Sequence, residues 1–507
     1  PEGARYRFDW MAVRPLAQIR KAGATTPRYE YFLYATEVSD RFGNWVRYTY
    51  STANPMQLQR IESKDGRVIT LQYSNGRVSS ATDGSRTIHY SYTAQADLQY
   101  VNLPDGSRWT FDLGGMLHPL WETLGEGAKC DSPGVFPTTA LVGRMTHPSG
   151  AHGVFHVPFA PHGRTFVEQH CWYVHGTSGQ TTGAVWPRLT RSQTLTRKEI
   201  QGPGLGTGLV WIYQYASQSG WTSCTTCSDR KTVTVTHPDG SMTRHTFGNR
   251  WRVNEGQLLQ LDERWNGSSA LRTTTFGYRH PVSQLCPERF GTTPLPTSDW
   301  LAAANRPRDL RSVVQQSTTF TWQVDSQVSG FDAFCRPTKV AKFSTLGDSR
   351  TESTEYEDHF GAWVLGQVKR VTEVSQSPHR EMEAYTYYTA HAMRQTRSSF
   401  GLQVESYEYN GTDGTLSILR NAGGRPIVLS SYRRGAPEGV TFVDNAAESQ
   451  RINNLGRPEW RTNAAGTTHN YGYDAMGRLA RIDYPTGDAV AYHPTLVGFE
   501  QIGQSEW

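Results

Sequence analysis

Apolar and polar residues alternate along short stretches of the chain. The pattern is clear at residues 69–73 (Ile-Thr-Leu-Gln-Tyr) and 88–92 (Ile-His-Tyr-Ser-Tyr). Alternation of this kind places one set of side chains on one face of a β-strand. The stretches are separated by Asp-Gly and Asn-Gly pairs, which favour two-residue hairpin turns: Asp65-Gly66, Asn75-Gly76, Asp83-Gly84, Asp105-Gly106 and Asp239-Gly240.

The turn pairs recur at roughly regular intervals, 18 residues from Asp65 to Asp83 and 22 from Asp83 to Asp105. Short repeated units cannot bury their apolar faces alone and must stack on their neighbours. No long amphipathic helix pattern is present. The sequence therefore predicts an all-β antiparallel sheet of hairpins in three stretches: N-terminal hairpins at 1–115, an irregular Cys-, His- and Gly-rich insertion within the sheet at 116–230, and further repeats at 231–507.

Composition narrows the class of protein. Aromatic residues make up 12% and charged residues 19% of the chain, which argues against disorder. The net charge of +5 is spread out without a basic block, so we expect no nucleic-acid partner. No apolar run approaches the length of about 18 residues that a membrane-spanning helix needs, so we expect no membrane span.

Six cysteines lie in the middle of the chain, and only Cys224 and Cys227 form a Cys-x-x-Cys pair. A zinc site would need a second ligand pair at suitable spacing, and a redox site would need a flanking strand–helix unit. We therefore predict a structural disulfide between Cys224 and Cys227, with a metal site and free thiols as the alternatives. A disulfide would indicate an oxidising compartment.

Candidate chemistry is sparse elsewhere. Six of the 16 histidines lie within residues 147–175, but their spacing matches no metal-ligand pattern. Residues 202–208 are glycine-rich without the spacing of a dinucleotide site, and neither GxSxG nor HExxH occurs. We expect no catalytic residue, no metal and no cofactor, and hence no enzyme. A sugar-processing enzyme stays open, because paired carboxylates are brought together only by the fold.

Residues 466–487 carry the most specific pattern. They resemble the YD repeat of the RHS family, which combines Tyr-Asp, Gly-Arg-Leu and a Pro-x-Gly turn. The matching residues are Tyr471, Tyr473, Asp474, Gly477, Arg478, Leu479, Pro485 and Gly487. Degenerate copies extend the resemblance over about 36–115 and 231–495. We interpret the motif as structural. Asp474 is expected to hydrogen-bond the turn backbone, and Gly477 to supply freedom in φ at the turn. Arg478 is expected to lie over a ring or to pair with a carboxylate.

The resemblance implies a spiralling sheet that forms part of a hollow, partial or open shell. Bacterial relatives are secreted polymorphic toxins, including the C components of insecticidal toxin complexes, and animal teneurins use a similar barrel in adhesion. We therefore expect a structural shell segment, secreted or at the bacterial cell surface, that encloses a toxic passenger. The expected partners are that C-terminal passenger or the remaining shell of the same precursor.

The chain contains no Asp-Pro dipeptide, which relatives use in a self-cleaving core. We therefore expect it to be part of a longer precursor or a divergent shell. The alternative function is a cell-surface carbohydrate-binding or adhesion module, because Trp and Tyr side chains on a wide sheet can stack on sugar rings.

Overall fold

The structure is a computed structural model that describes residues 3–21, 24–117, 141–169, 171–176, 179–184, 188–279, 305–326 and 330–492. Strands dominate this part of the chain, and the only helix within it is a 3-10 turn at Gly114–Leu117. The predicted all-β class with antiparallel hairpins is confirmed. No helix in the described ranges is long and apolar enough to cross a membrane.

The strands succeed one another with short connections. The first nine are β1 (Arg5–Lys21), β2 (Ala24–Ser39), β3 (Trp45–Tyr50), β4 (Leu58–Ser63), β5 (Val68–Ser74), β6 (Arg77–Thr82), β7 (Thr87–Tyr92), β8 (Leu98–Asn102) and β9 (Arg108–Asp112). The next eight are β10 (Val142–Thr146), β11 (His152–His156), β12 (Phe159–Gly163), β13 (Cys171–Gly176), β14 (Gly179–Ala184), β15 (Leu189–Gln193), β16 (Arg197–Gln201) and β17 (Leu209–Tyr215).

The second half of the chain continues in the same way. Its first strands are β18 (Arg230–Thr236), β19 (Met242–Gly248), β20 (Leu258–Glu263), β21 (Arg272–Tyr278), β22 (Arg308–Gln315), β23 (Thr318–Val324), β24 (Lys339–Ser344), β25 (Ser349–His359), β26 (Val364–Glu373) and β27 (Arg380–Tyr387). The last are β28 (Arg394–Ser399), β29 (Leu402–Tyr409), β30 (Leu416–Asn421), β31 (Pro426–Arg433), β32 (Ala436–Thr441), β33 (Ala447–Ile452), β34 (Pro458–Thr462), β35 (Thr468–Tyr473), β36 (Leu479–Asp483) and β37 (Ala489–Ala491).

Neighbours in the sequence are neighbours in the sheet. Thirty-three of the described strands belong to one sheet, in which antiparallel ladders join successive strands along most of the described residues. The exception lies in the stretch predicted as an insertion, where β11 pairs directly with β16. The strands between them form two small sheets, β12 with β15 and β13 with β14. Residues 118–140 of that stretch lie outside the described part.

The turns follow two geometries. Asn75-Gly76 is a two-residue turn in which both residues have positive φ, 50° and 76°. The prediction of a two-residue turn is wrong at Asp65-Gly66. There the Ser63 N–H donates to the Arg67 C=O, so the loop contains three residues. Of the Asp65-Gly66 pair, only Gly66 has positive φ. A type I turn followed by a left-handed glycine gives this loop. The three-residue loop recurs at Gly106 and Gly240.

Contacts divide the chain into two compact units. Unit 1 contains Pro1–Thr110, Glu355–Thr372 and Arg380–Trp507. Unit 2 contains Phe111–Thr354 and Glu373–His379. In each unit the described strands contact mainly their ladder neighbours. The predicted stretches 1–115, 116–230 and 231–507 stay a prediction from the sequence.

The described part of the chain has little hydrophobic core. Val324, Phe331 and Val340 form a small buried cluster in unit 2, with Trp322 against it. Most strand residues are half-buried on both faces. The buried apolar side chains in the described part are few: Ala12, Val167, Trp251, Val324, Phe331, Val340, Val364, Tyr387, Ala392 and Ile452.

Candidate functional site

The turn between β35 and β36 holds the centre of the YD motif. Asp474 Oδ1 accepts hydrogen bonds from the backbone N–H groups of Met476 (2.9 Å) and Arg478 (2.8 Å). Its Oδ2 accepts a third bond, from Arg478 Nε at 2.6 Å. One carboxylate thus binds the backbone and the side chain of the same turn, as Asx residues do.

Ionisation of Asp474 is set by these partners. Partial burial alone would raise the pKa of the carboxyl, but the N–H groups and the guanidinium of Arg478 outweigh it. The pKa of Asp474 therefore lies below its usual value, so the carboxylate is charged at neutral pH. A carboxylate that is charged at neutral pH and binds the backbone and the arginine of its own turn is suited to a structural role.

Gly477 and Arg478 complete the turn. Gly477 has a φ of +78°, and a Cβ there would lie 3.1 Å from Leu455 Cδ1. Arg478 Nη2 also reaches Asp105 Oδ2, at 3.2 Å, on a hairpin from the start of the chain. The guanidinium therefore joins two carboxylates, Asp474 and Asp105, and lies over no ring of the described residues.

The aromatic residues of the motif have different environments. The Tyr473 hydroxyl donates to the C=O of Pro458 on the neighbouring strand at 2.7 Å. Tyr471 lies opposite Ile482 in the ladder, and Tyr473 lies opposite Leu479. Burial is the main cause that raises the pKa of Tyr473. Of the two motif tyrosines, Tyr473 is the one whose hydroxyl joins its strand to a neighbour within the described structure.

This tyrosine contact recurs through both units and was missed by sequence reasoning. In each case the hydroxyl of a Tyr near the end of one strand donates to a C=O on, or just before, the preceding strand, at 2.5–3.0 Å. The available signal was a Tyr at the strand end just before a turn. The further examples are Tyr50, Tyr73, Tyr92, Tyr215, Tyr278, Tyr387 and Tyr432.

The Asp474 turn also has copies. In each copy an Asp or Asn accepts from the N–H groups two and four residues ahead, and the residue three ahead has positive φ. The turn geometry of the repeat is therefore kept even where the residues differ from those of the YD motif. The copies begin at Asp40, Asp332, Asn421, Asn453 and Asn463.

Pro485 and Gly487 lie in the next turn, between β36 and β37. Gly487 has a φ of +91° and its N–H donates to Tyr484 C=O at 3.1 Å. Tyr484 N–H donates to Asp488 C=O at 2.9 Å, which closes the turn. These residues end the motif as a second tight hairpin.

Within unit 1, turns from the two ends of the chain contact each other. Arg434 Nη1 lies 3.0 Å from Asp65 Oδ2, and its side chain is only 12% exposed. Arg86 Nη1 donates to Met476 C=O at 3.3 Å. With the Arg478–Asp105 pair, these contacts join hairpins of β4–β9 to hairpins of β31–β36. We call these three arginines the turn pins.

The cysteine pair lies in unit 2. Cys224 and Cys227 form a disulfide with an S–S distance of 2.01 Å. A Cβ on Gly220 would lie 2.2 Å from Cys227 Sγ, so the loop packs closely on a glycine. Cys130 and Cys286 lie outside the described residues.

The histidine-rich stretch is dispersed in the fold. His162 Nε2 lies 2.6 Å from Thr194 Oγ1, and His147 Nδ1 lies 2.9 Å from Ser149 Oγ. Burial lowers the pKa of both histidines. His170 is outside the described part, and within that part no group of three or more His, Cys, Asp or Glu side chains is placed to hold a metal.

Comparison with known proteins finds similarity only among solved structures. No protein-family profile matches the chain, and no curated protein matches it in sequence. A crystal structure of TcdB2-TccC3-Cdc42 aligns with 95% of the chain at 10% identity and a TM-score of 0.36. The Photorhabdus luminescens Tc holotoxin pore aligns with 96% at 9% identity and a TM-score of 0.23. The chain covers 25% and 32% of those two chains.

Proposed function

We propose that the chain is a wall segment in the shell of a secreted bacterial RHS-type toxin, and that it encloses a toxic passenger without catalysing a reaction. The observation that carries this proposal is the near absence of a core in the described sheet, whose strands are half-buried on both faces. Such a sheet suits a wall between two aqueous spaces better than the interior of a globular domain.

The turn pins support the same function. A wall made of hairpins needs contacts between hairpins that are not successive in the chain. Without such contacts, distant hairpins could separate and leave a gap in the wall. Arg434 and Arg478 supply such contacts with Asp65 and Asp105. The partner is then the passenger or the remaining shell of the same precursor, and the site of action is outside the producing cell.

The test is the composition of the native product and the protection of its passenger. We expect the purified native particle to release a second polypeptide only in denaturant, and expect protease to leave that polypeptide intact beforehand. Native product without any passenger would contradict the proposal.

The turn pins give a sharper version of this test. The double variant Arg434→Ala, Arg478→Ala is expected to make the passenger accessible to protease. Arg451→Ala is the matched control, because Arg451 is exposed and pairs with Glu438 at 3.6 Å within the β32–β33 hairpin. Equal protection in both variants would show that the pins do not close the wall.

A second candidate function is adhesion through the β1–β2 hairpin. Met11 lies opposite Leu33 and Val13 opposite Tyr31, and all four side chains are exposed. Contiguous exposed apolar groups indicate an interaction surface, and Tyr rings can stack on sugars. Glycan-array binding that Tyr31→Ser abolishes and Tyr31→Phe retains would favour this candidate over the shell.

A further inference from the structure

The β1–β2 hairpin of unit 1 is longer than the strand that follows it. The ladder between β1 (Arg5–Lys21) and β2 (Ala24–Ser39) runs along both strands, whereas β3 pairs with β2 only at its last three residues. Over the remaining length, the ladders of the described strands give the hairpin no third strand. A two-stranded hairpin is marginally stable in water unless one of its faces is packed.

One face of the hairpin packs on the rest of unit 1. Trp10 Nε1 donates to Pro55 C=O at 2.8 Å, and the Trp10 ring centre lies 5.8 Å from that of Tyr50. Tyr34, opposite Trp10 in the ladder, lies 5.3 Å from the same Tyr50 ring. Ala12 is the next residue of β1 on this face, and it is buried. These contacts hold the hairpin and turn its other face away from them.

The other face of the hairpin is apolar and exposed. Alternation along the ladder places three pairs of residues on it: Met11 with Leu33, Val13 with Tyr31 and Pro15 with Tyr29. Apart from the proline, which is also exposed, these residues are 42–63% exposed. None of the six is charged. A contiguous apolar face of this kind indicates an interaction surface.

Positive charge accumulates towards the tip of the same hairpin. Between Asp9 and Glu30 the chain has four basic residues and no acidic one. Arg14 pairs with Glu30. The other three basic residues lie nearer the tip: Arg20, Lys21 and Arg28. An apolar face next to a cationic tip complements a surface that is anionic outside and apolar beneath.

We propose that the β1–β2 hairpin binds the surface of an anionic lipid membrane. The apolar face would enter the headgroup region, the tyrosine hydroxyls would stay at its polar level, and the basic tip would attract lipid phosphates. A nucleic acid would satisfy the positive charge but leave Met11, Val13 and Leu33 in water, so it fits the hairpin less well. The proposal rests on the second candidate function, adhesion through this hairpin, and names a lipid as the partner.

The test is flotation of the purified chain with lipid vesicles at low salt. We expect about tenfold tighter binding to vesicles of phosphatidylcholine with phosphatidylglycerol than to vesicles of phosphatidylcholine alone, because each basic residue near an anionic surface adds attraction. Rising salt should weaken this binding by screening the charges. No binding to either vesicle, or equal binding to both, would overturn the proposal. Glycan-array binding without vesicle binding would reject the lipid and leave adhesion standing.

A first double variant tests the apolar face. Met11→Ser, Leu33→Ser is expected to weaken binding to the anionic vesicles by about tenfold or more, because it removes apolar groups that enter the headgroup region. The control is Leu402→Ser, Val443→Ser, which removes two exposed apolar side chains elsewhere in unit 1. Thermal melting verifies that both variants fold. Equal affinities of the two variants would reject the apolar face as the contact.

A second double variant tests the basic tip. Arg20→Gln, Lys21→Gln should weaken binding to the anionic vesicles and leave binding to phosphatidylcholine unchanged. The control Arg420→Gln, Arg425→Gln removes the same charge from another part of unit 1. Equal effects of these two variants would show that only the net charge of the chain matters, and would overturn the assignment to the tip.

Size-exclusion chromatography without vesicles tests the other occupant of the apolar face. We expect the chain to elute in the same way with and without the Met11→Ser, Leu33→Ser change. A dimer that this double variant dissociates would identify a second copy of the chain as the occupant and would overturn the lipid proposal.

Discussion

Gly477 illustrates how single residues hold the repeat. Its φ of +78° is costly for any residue with a Cβ, by about 1–2 kcal/mol. A Cβ would also press on Leu455 at 3.1 Å. We therefore expect Gly477→Ala to lower the free energy of unfolding by about 1–2 kcal/mol. Gly411→Ala is the control, because Gly411 lacks positive φ and has open space around it. Urea unfolding of both variants measures the difference, and equal midpoints would refute this account.

The Tyr473 hydroxyl offers a second test at the residue scale. Tyr473→Phe removes the donor to Pro458 C=O and is expected to cost about 1 kcal/mol. Tyr471→Phe should change little, because the Tyr471 hydroxyl makes no hydrogen bond in the described structure. Thermal melting of the two variants compares the loss of a hydroxyl at two tyrosines that lie two residues apart. A larger loss in Tyr471→Phe would contradict the anchoring role.

Burial also predicts how the tyrosine anchors respond to alkali. Because burial raises the pKa of Tyr73, Tyr432 and Tyr473 above the usual value near 10, the folded state favours the neutral phenol. This contribution to stability is complete below the pKa of the unfolded chain and is lost as pH rises through the folded pKa. We expect the melting temperature to fall above about pH 10. Tyr473→Phe should make that fall less steep, and an unchanged slope would argue against it.

At the scale of elements, the hairpins were predictable and their distant contacts were not. Asp65-Gly66 and Asn75-Gly76 marked the turns because Asp, Asn and Gly tolerate turn conformations locally. The predicted loop length at Gly66 is wrong, because an Asp-Gly pair occurs in both two-residue and three-residue loops. Asp474, Gly477 and Arg478 lie in one turn because they are close in sequence. Arg434 and Asp65 are 369 residues apart, so their contact depends on every hairpin length between them.

The ladder β19–β20–β21 contains a buried carboxylate that no sequence motif predicts. Asp262 is 1% exposed and accepts from Arg244 Nε at 2.9 Å and Thr273 Oγ1 at 2.8 Å. Asp262→Asn leaves Arg244 without its carboxylate, so we expect a loss of about 3 kcal/mol. Glu263→Gln, beside it, removes an exposed pair with Arg272 and should cost at most about 1 kcal/mol. Urea unfolding distinguishes them, and similar losses would refute the buried-pair argument.

At the scale of the whole molecule, two of the three turn pins of unit 1, Arg434 and Arg478, bind carboxylates of distant turns. Burial would raise the pKa of Asp65, but the hydroxyl of Ser63 and the guanidinium groups of Arg67 and Arg434 outweigh it and lower the pKa. The Ser107 hydroxyl is the main cause that lowers the pKa of Asp105, with a smaller contribution from Arg478. Protonation of either carboxyl removes the charge that its arginine binds.

This linkage predicts that acid opens the contacts between the turns. A carboxyl with a lowered pKa in the folded state stabilises it fully above the unfolded value near 4, and the contribution is lost as pH falls through the folded pKa. We expect hydrogen exchange to speed up in the turns at Asp65 and Asp105 below about pH 4, after correction for intrinsic rates. The variant Asp65→Asn, Asp105→Asn should exchange quickly at neutral pH and respond less to acid. Asp488→Asn, in the β36–β37 turn away from the pins, is the control. An unchanged acid response in the double variant would show that other carboxyls govern the opening.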